Sequence, residues 1–355
     1  MFDEDHQEPE FAPTGIVLAQ AGRMEEAAEV WLVYQGRALP LRDWAPQWDC
    51  ARFASITELI GQWSDHHTEL RRLTELPQTA QTIAEGGLSV ASLRFEAPLR
   101  PAQLFCTIGN YRRQVVEAAV DAGLPTEAER VRAATLQALD QRQLHGSPYI
   151  CLTSVDRVGA PVGELGLDPE VDTLDWEVEI GAVIGSPLSR LTLPEASAAI
   201  AGYCVVNDLT IRSRVVRPDL PALGSDWVQS KGMHGSLPLG PWFVPSWQVQ
   251  DPSGLRLQLW LNDTLMQDDT AADMVFTIPE QLQYLSQHTR LRPGDVLCTG
   301  SPAGFGLHHG RFLRPGDVVK ASVTGLGEQI IRCAEVAPAP EHIQSNSGRT
   351  GRTLT

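Results

Sequence analysis

Short apolar runs of strand length alternate with turn residues through most of the chain: Leu104–Ile108, Val178–Ile184, Tyr203–Val206, Trp242–Val244, Leu255–Leu261, Val296–Thr299, Val318–Val323 and Glu328–Cys333. Runs of this kind bounded by Gly, Pro, Asn and Asp predict β-strands. Ahead of them, Gly15–Ala21 and Ala28–Val33 predict two more. Helical spacing of apolar positions occurs at Ser55–Ile60, Thr68–Leu73, Leu193–Ala199 and Pro279–Gln287. From Val115 to about Leu144 the composition turns to Ala, Glu, Arg, Leu and Gln, with Val116, Val120, Val131, Leu136 and Leu139 at helical intervals. Leu124-Pro125-Thr126 breaks this stretch, so it predicts two helices inserted between strands as a lid.

The Pro98-Leu99-Arg100-Pro101 stretch holds the backbone extended and marks a boundary. The pattern therefore predicts an α+β, mainly β chain. It divides into a flexible acidic arm (1–13), a small N-terminal α+β domain (14–97), a catalytic domain (98–336) with a helical lid at 115–146, and a Pro, Ser, Gly and Thr-rich disordered tail (337–355). The letters R-P-G-D occur twice, at 292–295 and 314–317, between flanks too different to be a repeat.

Composition narrows the function. Of 355 residues, 28 are Lys or Arg and 44 are Asp or Glu, a net charge of −16 that argues against a nucleic-acid-binding surface. With 43% hydrophobic and 20% charged residues, the chain has the usage of a folded protein. No apolar run reaches the roughly 18 residues of a membrane span, and the acidic start lacks the basic character of a leader, so a cytoplasmic protein is expected. Six scattered cysteines without a C-x-x-C pair predict buried, reduced thiols.

Asp175-Trp176-Glu177-Val178-Glu179 is the most informative stretch. Alternation along a strand places Glu177 and Glu179 on one face and Trp176, Val178 and Ile180 on the other. Two carboxylates a strand period apart in an apolar segment repel unless compensated, and a divalent cation does that; a solvent-facing strand is the bland alternative. The apolar run Ile200–Val206 ends in Asn207-Asp208, where Asp208 can supply a third carboxylate, or simply cap a turn. Lys231, one of two lysines in the chain, lies in a glycine-flanked segment. It is either a substrate-facing ammonium or a surface cation. The Gly-rich run Thr299–Gly306 lacks nucleotide-loop spacing, yet its amides can bind an anion; His308 and His309 follow as possible bases or as solvated loop residues.

Several motifs in order carry a family resemblance: Ile108-Gly109-Asn110-Tyr111, Asp175–Glu179, Ala201-Gly202-Tyr203 through Asn207-Asp208, Lys231 before Leu239-Gly240-Pro241-Trp242, Gln267-Asp268 with Asp273-Met274, Arg292–Val296, and Thr299–Gly304. On these the chain resembles the fumarylacetoacetate hydrolase family from about Leu104 to Cys333. The resemblance implies a mixed β-roll, barrel-like catalytic domain, a homodimer, and Mg2+ or Mn2+ held by Glu177, Glu179 and Asp208. It implies a small 2-oxo or 2,4-dioxo acid substrate whose C–C bond is hydrolysed, with Lys231 polarising an oxygen. Tyr111, Gln114, Arg212, Thr299, Gly300 and Ser301 fall at substrate-contacting positions. The family's water-activating histidine is missing, since its possible positions hold Gln114 and Glu117. Glu117, His308 or His234 is then the expected base, and Ser213 stands where the family often has Asp. Hydratase, isomerase or decarboxylase chemistry, or keto-acid binding without catalysis, remains the alternative.

Overall fold

The computed structural model describes residues 13–186 and 189–336. The tail expected at 337–355, and the expected arm apart from residue 13, lie outside the described residues. A large sheet of eleven strands runs through the molecule. Its order is Leu88–Ser89, Arg37–Pro40, Glu29–Tyr34, Val17–Arg23, Trp242–Pro245, Ile200–Asn207, Val178–Ile184, Val296–Cys298, Leu104–Ile108 and Tyr149–Thr153, with Leu93–Phe95 beside Val17–Arg23. Val17–Arg23 pairs with Trp242–Pro245, so the sheet is continuous from the N-terminal strands into the later ones.

A second sheet of five strands, Thr264–Thr270, Arg256–Leu261, Val318–Val323, Gly327–Glu335 and Val162–Leu167, packs on one face of the first. Alternation explains the packing: Val178, Ile180 and Ala182 share a core with Leu257, Leu259, Val319 and Ala321. The other face, bearing Val183, Cys204 and Val206, is covered by Ile56, Leu59, Ile60 and Trp63 of the N-terminal helices. Neither sheet closes into a barrel. Among the described residues no helix is long and apolar enough to cross a membrane, and all six cysteines are free.

The two R-P-G-D segments build the same tight turn. In each, Pro precedes a glycine with positive φ (Gly294 at 85°, Gly316 at 91°), and the Asp carboxylate accepts from the backbone N–H of the Arg that opens the turn, at 2.8 and 2.7 Å. The letters record local turn chemistry on two unrelated strands.

The helices Arg112–Asp121 and Ala128–His145 follow the strand Leu104–Ile108 and pack against each other. Val116 and Leu139 pack with Val275 and Phe276 in a small core of their own, and Leu139 is the one buried residue of the longer helix. So slight an apolar anchor is what a segment of low local stability looks like.

Candidate active site

The three expected carboxylates converge: oxygens of Glu177, Glu179 and Asp208 lie within 4.8 Å of one another, and all three residues are buried. Antiparallel pairing sets Val178 opposite Asn207, so the start of one strand adjoins the end of the other. Glu177 is not on the expected strand, which begins at Val178. Side chains replace the ladder there: Glu177 N donates to Asn207 Oδ1 at 2.9 Å and Val178 N to Gln267 Oε1 at 3.1 Å. The backbone N–H of Asp208 donates to Glu177 O at 2.9 Å, joining the two carboxylate-bearing segments.

Three cations surround the carboxylates. Lys231 is fully buried and donates to Asp208 Oδ2 at 2.6 Å and Thr210 Oγ1 at 2.7 Å, with Glu177 Oε2 at 3.5 Å. Lys231 stands at the last position of the helix Trp227–Lys231, which Asp226 caps through Gln229 N at 3.1 Å. Arg157, also fully buried, sits with Nη2 2.5 Å from Asp208 Oδ1. Arg212 reaches Glu177 Oε1 at 3.0 Å and Asp175 Oδ2 at 2.7 Å. Burial works against the Asp208 charge, but Arg157 and then Lys231 hold its carboxyl down to about 2. Burial likewise works against the Lys231 ammonium, and Asp208 and Glu177 outweigh it, raising its pKa.

Glu179 is the exception. Its Oε2 accepts from Gly300 N at 2.7 Å, while buried Oε1 has no hydrogen-bond partner. Burial, then the charges of Asp208 and Glu177, push its carboxyl well above the usual range. An unpaired carboxylate oxygen next to two further carboxylates is a hard-oxygen donor set that fits a divalent cation. Gly300 makes this contact with φ of 97°, where an added Cβ would come within 2.9 Å of Asn110 Cβ. Gly300→Ala is expected to destabilise the protein by about 1–3 kcal/mol in urea titrations, with loss of the Glu179 tether.

The other expected residues occupy several places. The Thr299 hydroxyl donates to Ile180 O at 2.9 Å, and Ser301 Oγ accepts from Gln267 at 2.9 Å, so both brace the loop. Tyr111 is fully buried with an unpartnered hydroxyl, whose pKa burial and the Glu179, Asp269 and Asp273 charges raise. Arg212 Nη2 is buried and unpartnered too, with the guanidinium 4.4 Å over the Phe305 ring. Gln114 is half-buried in the first lid helix, and His234 is exposed.

Glu117 and His308 line a cavity of about 510 Å³ beside the helices Arg112–Asp121 and Ala128–His145; the three carboxylates do not line it. His308 Nε2 is 3.6 Å from Glu117 Oε2, and Glu117 Oε1 accepts from Gly304 N at 2.9 Å. The loop Thr299–Gly306 links the two places: Gly300 holds Glu179, Gly304 holds Glu117, and the amides of Gly306 and Leu307 donate to Asp175 at 2.6 and 3.0 Å. Arg157, Asp175, Thr210 and Gln267 were not legible as site residues in the sequence. Of these, Asp175 and Gln267 at least stood inside recognised motifs.

The family profile described as fumarylacetoacetate (FAA) hydrolase C-terminal matches residues 103–333. A 2,4-didehydro-3-deoxy-L-rhamnonate hydrolase of Sphingomonas sp. (strain SKA58) is 30% identical over 257 residues, covering 69% of this chain and 81% of the relative. The chain belongs to the fumarylacetoacetate hydrolase family. Among solved structures, maleylpyruvate hydrolase from Sphingobium sp. SYK-6, in complex with manganese (II) ion and pyruvate, superposes with a TM-score of 0.65 at 19% identity, over 90% of this chain and all of that one. Fumarylpyruvate hydrolase from Pseudomonas aeruginosa, in complex with Mn2+ and pyruvate, gives 0.54 at 23% identity, over 68% and 92%. The chain spans about half the length of the curated Burkholderia hydrolases it matches, at 38% identity over 159 residues for the Burkholderia multivorans protein. The family fold of mixed helices and strands is the one expected from the sequence motifs.

Proposed function

We propose that this protein is a divalent-metal-dependent hydrolase that cleaves a C–C bond in a small 2,4-dioxo acid. The observation that carries this reading is the buried Glu177, Glu179 and Asp208 cluster, in which Glu179 Oε1 has neither a hydrogen bond nor a cation partner. These three residues would hold Mg2+ or Mn2+, which supplies Lewis acidity toward a chelated 2-oxo acid. Arg212 Nη2 and the Tyr111 hydroxyl, both without protein partners, are donors suited to the substrate's carboxylate and keto oxygens.

Glu117 and His308 take the place of the missing histidine. With the His308 proton on Nδ1, Nε2 and Glu117 Oε2 are two acceptors 3.6 Å apart, which repel unless a proton donor lies between them. A water bridging His308 Nε2 and Glu117 Oε2 satisfies both. Its proton passes to Nε2 as its oxygen attacks the carbonyl remote from the 2-oxo acid. The C–C electron pair then leaves as an enolate facing the Lys231 ammonium, and the proton on His308 returns to the enolate carbon. Atoms balance as substrate plus water giving two acids. If His308 is idle, Lys231 still serves enolate chemistry without water addition, which is the isomerase or decarboxylase reading.

Acylpyruvates, fumarylpyruvate and oxaloacetate, incubated with the Mn2+-loaded protein and followed by NMR, separate these outcomes. Hydrolysis is expected to yield two acids from a dioxo acid, whereas isomerisation conserves the skeleton. An unchanged panel overturns the reading.

We further propose that the protein is a homodimer. The edge strand Tyr149–Thr153 leaves Tyr149 and Leu152 exposed, and Tyr149 touches Trp227 in a segment where Leu223 and Val228 are also exposed. Leu152→Glu with Val228→Glu is expected to halve the solution mass in light scattering; an unchanged dimer, or a wild-type monomer, rejects this surface.

A further inference from the structure

We infer that Asp121 is a positioning residue that sets the tautomer of His308. This inference rests on the reading of His308 and Glu117 as the water-activating pair. Asp121 and Glu117 stand four residues apart on the first lid helix and so present their carboxylates on one face, one turn after the other. The imidazole of His308 bridges them. Nδ1 is 2.7 Å from Asp121 Oδ2, and Nε2 is 3.6 Å from Glu117 Oε2.

A carboxylate accepts and never donates when ionised, so the Asp121 contact requires a proton on Nδ1. The neutral ring then carries its lone pair on Nε2, toward Glu117 and the cavity, which is the form that takes a proton from water. Asp121 is the last residue of its helix. The helix macrodipole disfavours an acid there, so local helix stability does not account for the choice, whereas a partner imidazole does. The Asp121 hydrogen bond, opposed by partial burial and aided by the Glu117 charge, also raises the His308 pKa. His308 lies on the short helix Gly306–His309, whose first amides are anchored by Asp175. The ring is therefore fixed from the loop side and oriented from the lid side.

The experiment reads the ring directly. In 15N-labelled full-length protein at alkaline pH, the His308 ring nitrogens are assigned by their loss in His308→Ala. Wild type is expected to show Nδ1–H, and Asp121→Asn, whose amide donates to Nδ1, to show Nε2–H. With a substrate in hand, Asp121→Asn is expected to lower kcat about 100-fold or more with KM within about 2-fold, and Asp121→Glu to restore part of it.

An unchanged tautomer in Asp121→Asn overturns the inference, as does a kcat loss in that variant without a change in the ring. The catalytic reading fails separately: His308→Ala and Glu117→Gln would keep full turnover while the tautomer shift in Asp121→Asn persists.

Discussion

Lys231→Met is expected to destabilise the metal-free protein by about 3–5 kcal/mol, because it strips the shared cation from two carboxylates that stay buried. The ammonium donates to Asp208 Oδ2 at 2.6 Å and also faces Glu177 Oε2 at 3.5 Å. Arg157 and Arg212 remain in the variant, but each is committed to its own oxygen, at 2.5 Å on Asp208 Oδ1 and 3.0 Å on Glu177 Oε1. Added Mn2+ should recover part of the loss, since the cation restores the missing positive charge; stabilisation by a ligand at 100 times its Kd is about 2.7 kcal/mol. Turnover should not recover: a positioned cation at developing negative charge is worth about 100- to 1,000-fold. Chemical denaturation with and without Mn2+, alongside the rate assay, checks both halves. A variant as stable as wild type would show that Lys231 does not carry the compensation assigned to it.

Glu179→Gln has the opposite sign on stability. The wild-type carboxylate is desolvated, faces two like charges and leaves one oxygen unpaired. An amide keeps the bond from Gly300 and turns a donor toward the neighbouring carboxylates. The metal-free variant should therefore be more stable by roughly 1–4 kcal/mol, while divalent-cation affinity falls by about 100-fold or more. The pH dependence follows from the raised Glu179 carboxyl pKa. The folded state holds that proton more tightly than the unfolded chain does. Its contribution is present below the unfolded pKa and is lost as pH rises through the raised folded one. The stability gap between Glu179→Gln and metal-free wild type should widen over that window, and Mn2+ should close it from the wild-type side. Equal stabilities at neutral pH would mean that Glu179 is not the strained member of the cluster.

The parts of the site legible in the sequence are those that local period and strand ends encode. Glu177 and Glu179 stood out because alternation put two acids on one side of an apolar run, and Asp208 because it followed an apolar strand. Arg157 gave no such signal. It is one arginine in a short turn, Ser154 to Val158, and only the pairing of distant strands brings it onto Asp208. Thr210 became a site residue by accepting from Lys231 and donating to Glu177 at 2.8 Å, contacts made across 21 and 33 residues of chain. Asp121, one polar position in a helical stretch, carried no signal of its own.

The same limit governs the fold. Strands of mostly apolar character, such as Ile200–Asn207, announced themselves. Val162–Leu167 and Thr264–Thr270, rich in Gly, Glu and Asp, are strands because neighbours pair with them. The helix Pro77–Gly86 was hidden by its Gln and Thr content. The helix Trp227–Lys231 gave no periodic signal because it is only five residues long and ends at Gly232.

The claim on which the rest depends is that Glu177, Glu179 and Asp208 together hold a divalent cation. Crystals of the wild-type protein grown with saturating Mn2+ and measured at the manganese absorption edge test it without reference to any substrate. One anomalous peak is expected within about 2–2.5 Å of a carboxylate oxygen from each of the three residues. A peak elsewhere, or a cluster still clamped by Lys231 and Arg157 with no peak among its oxygens, would contradict it.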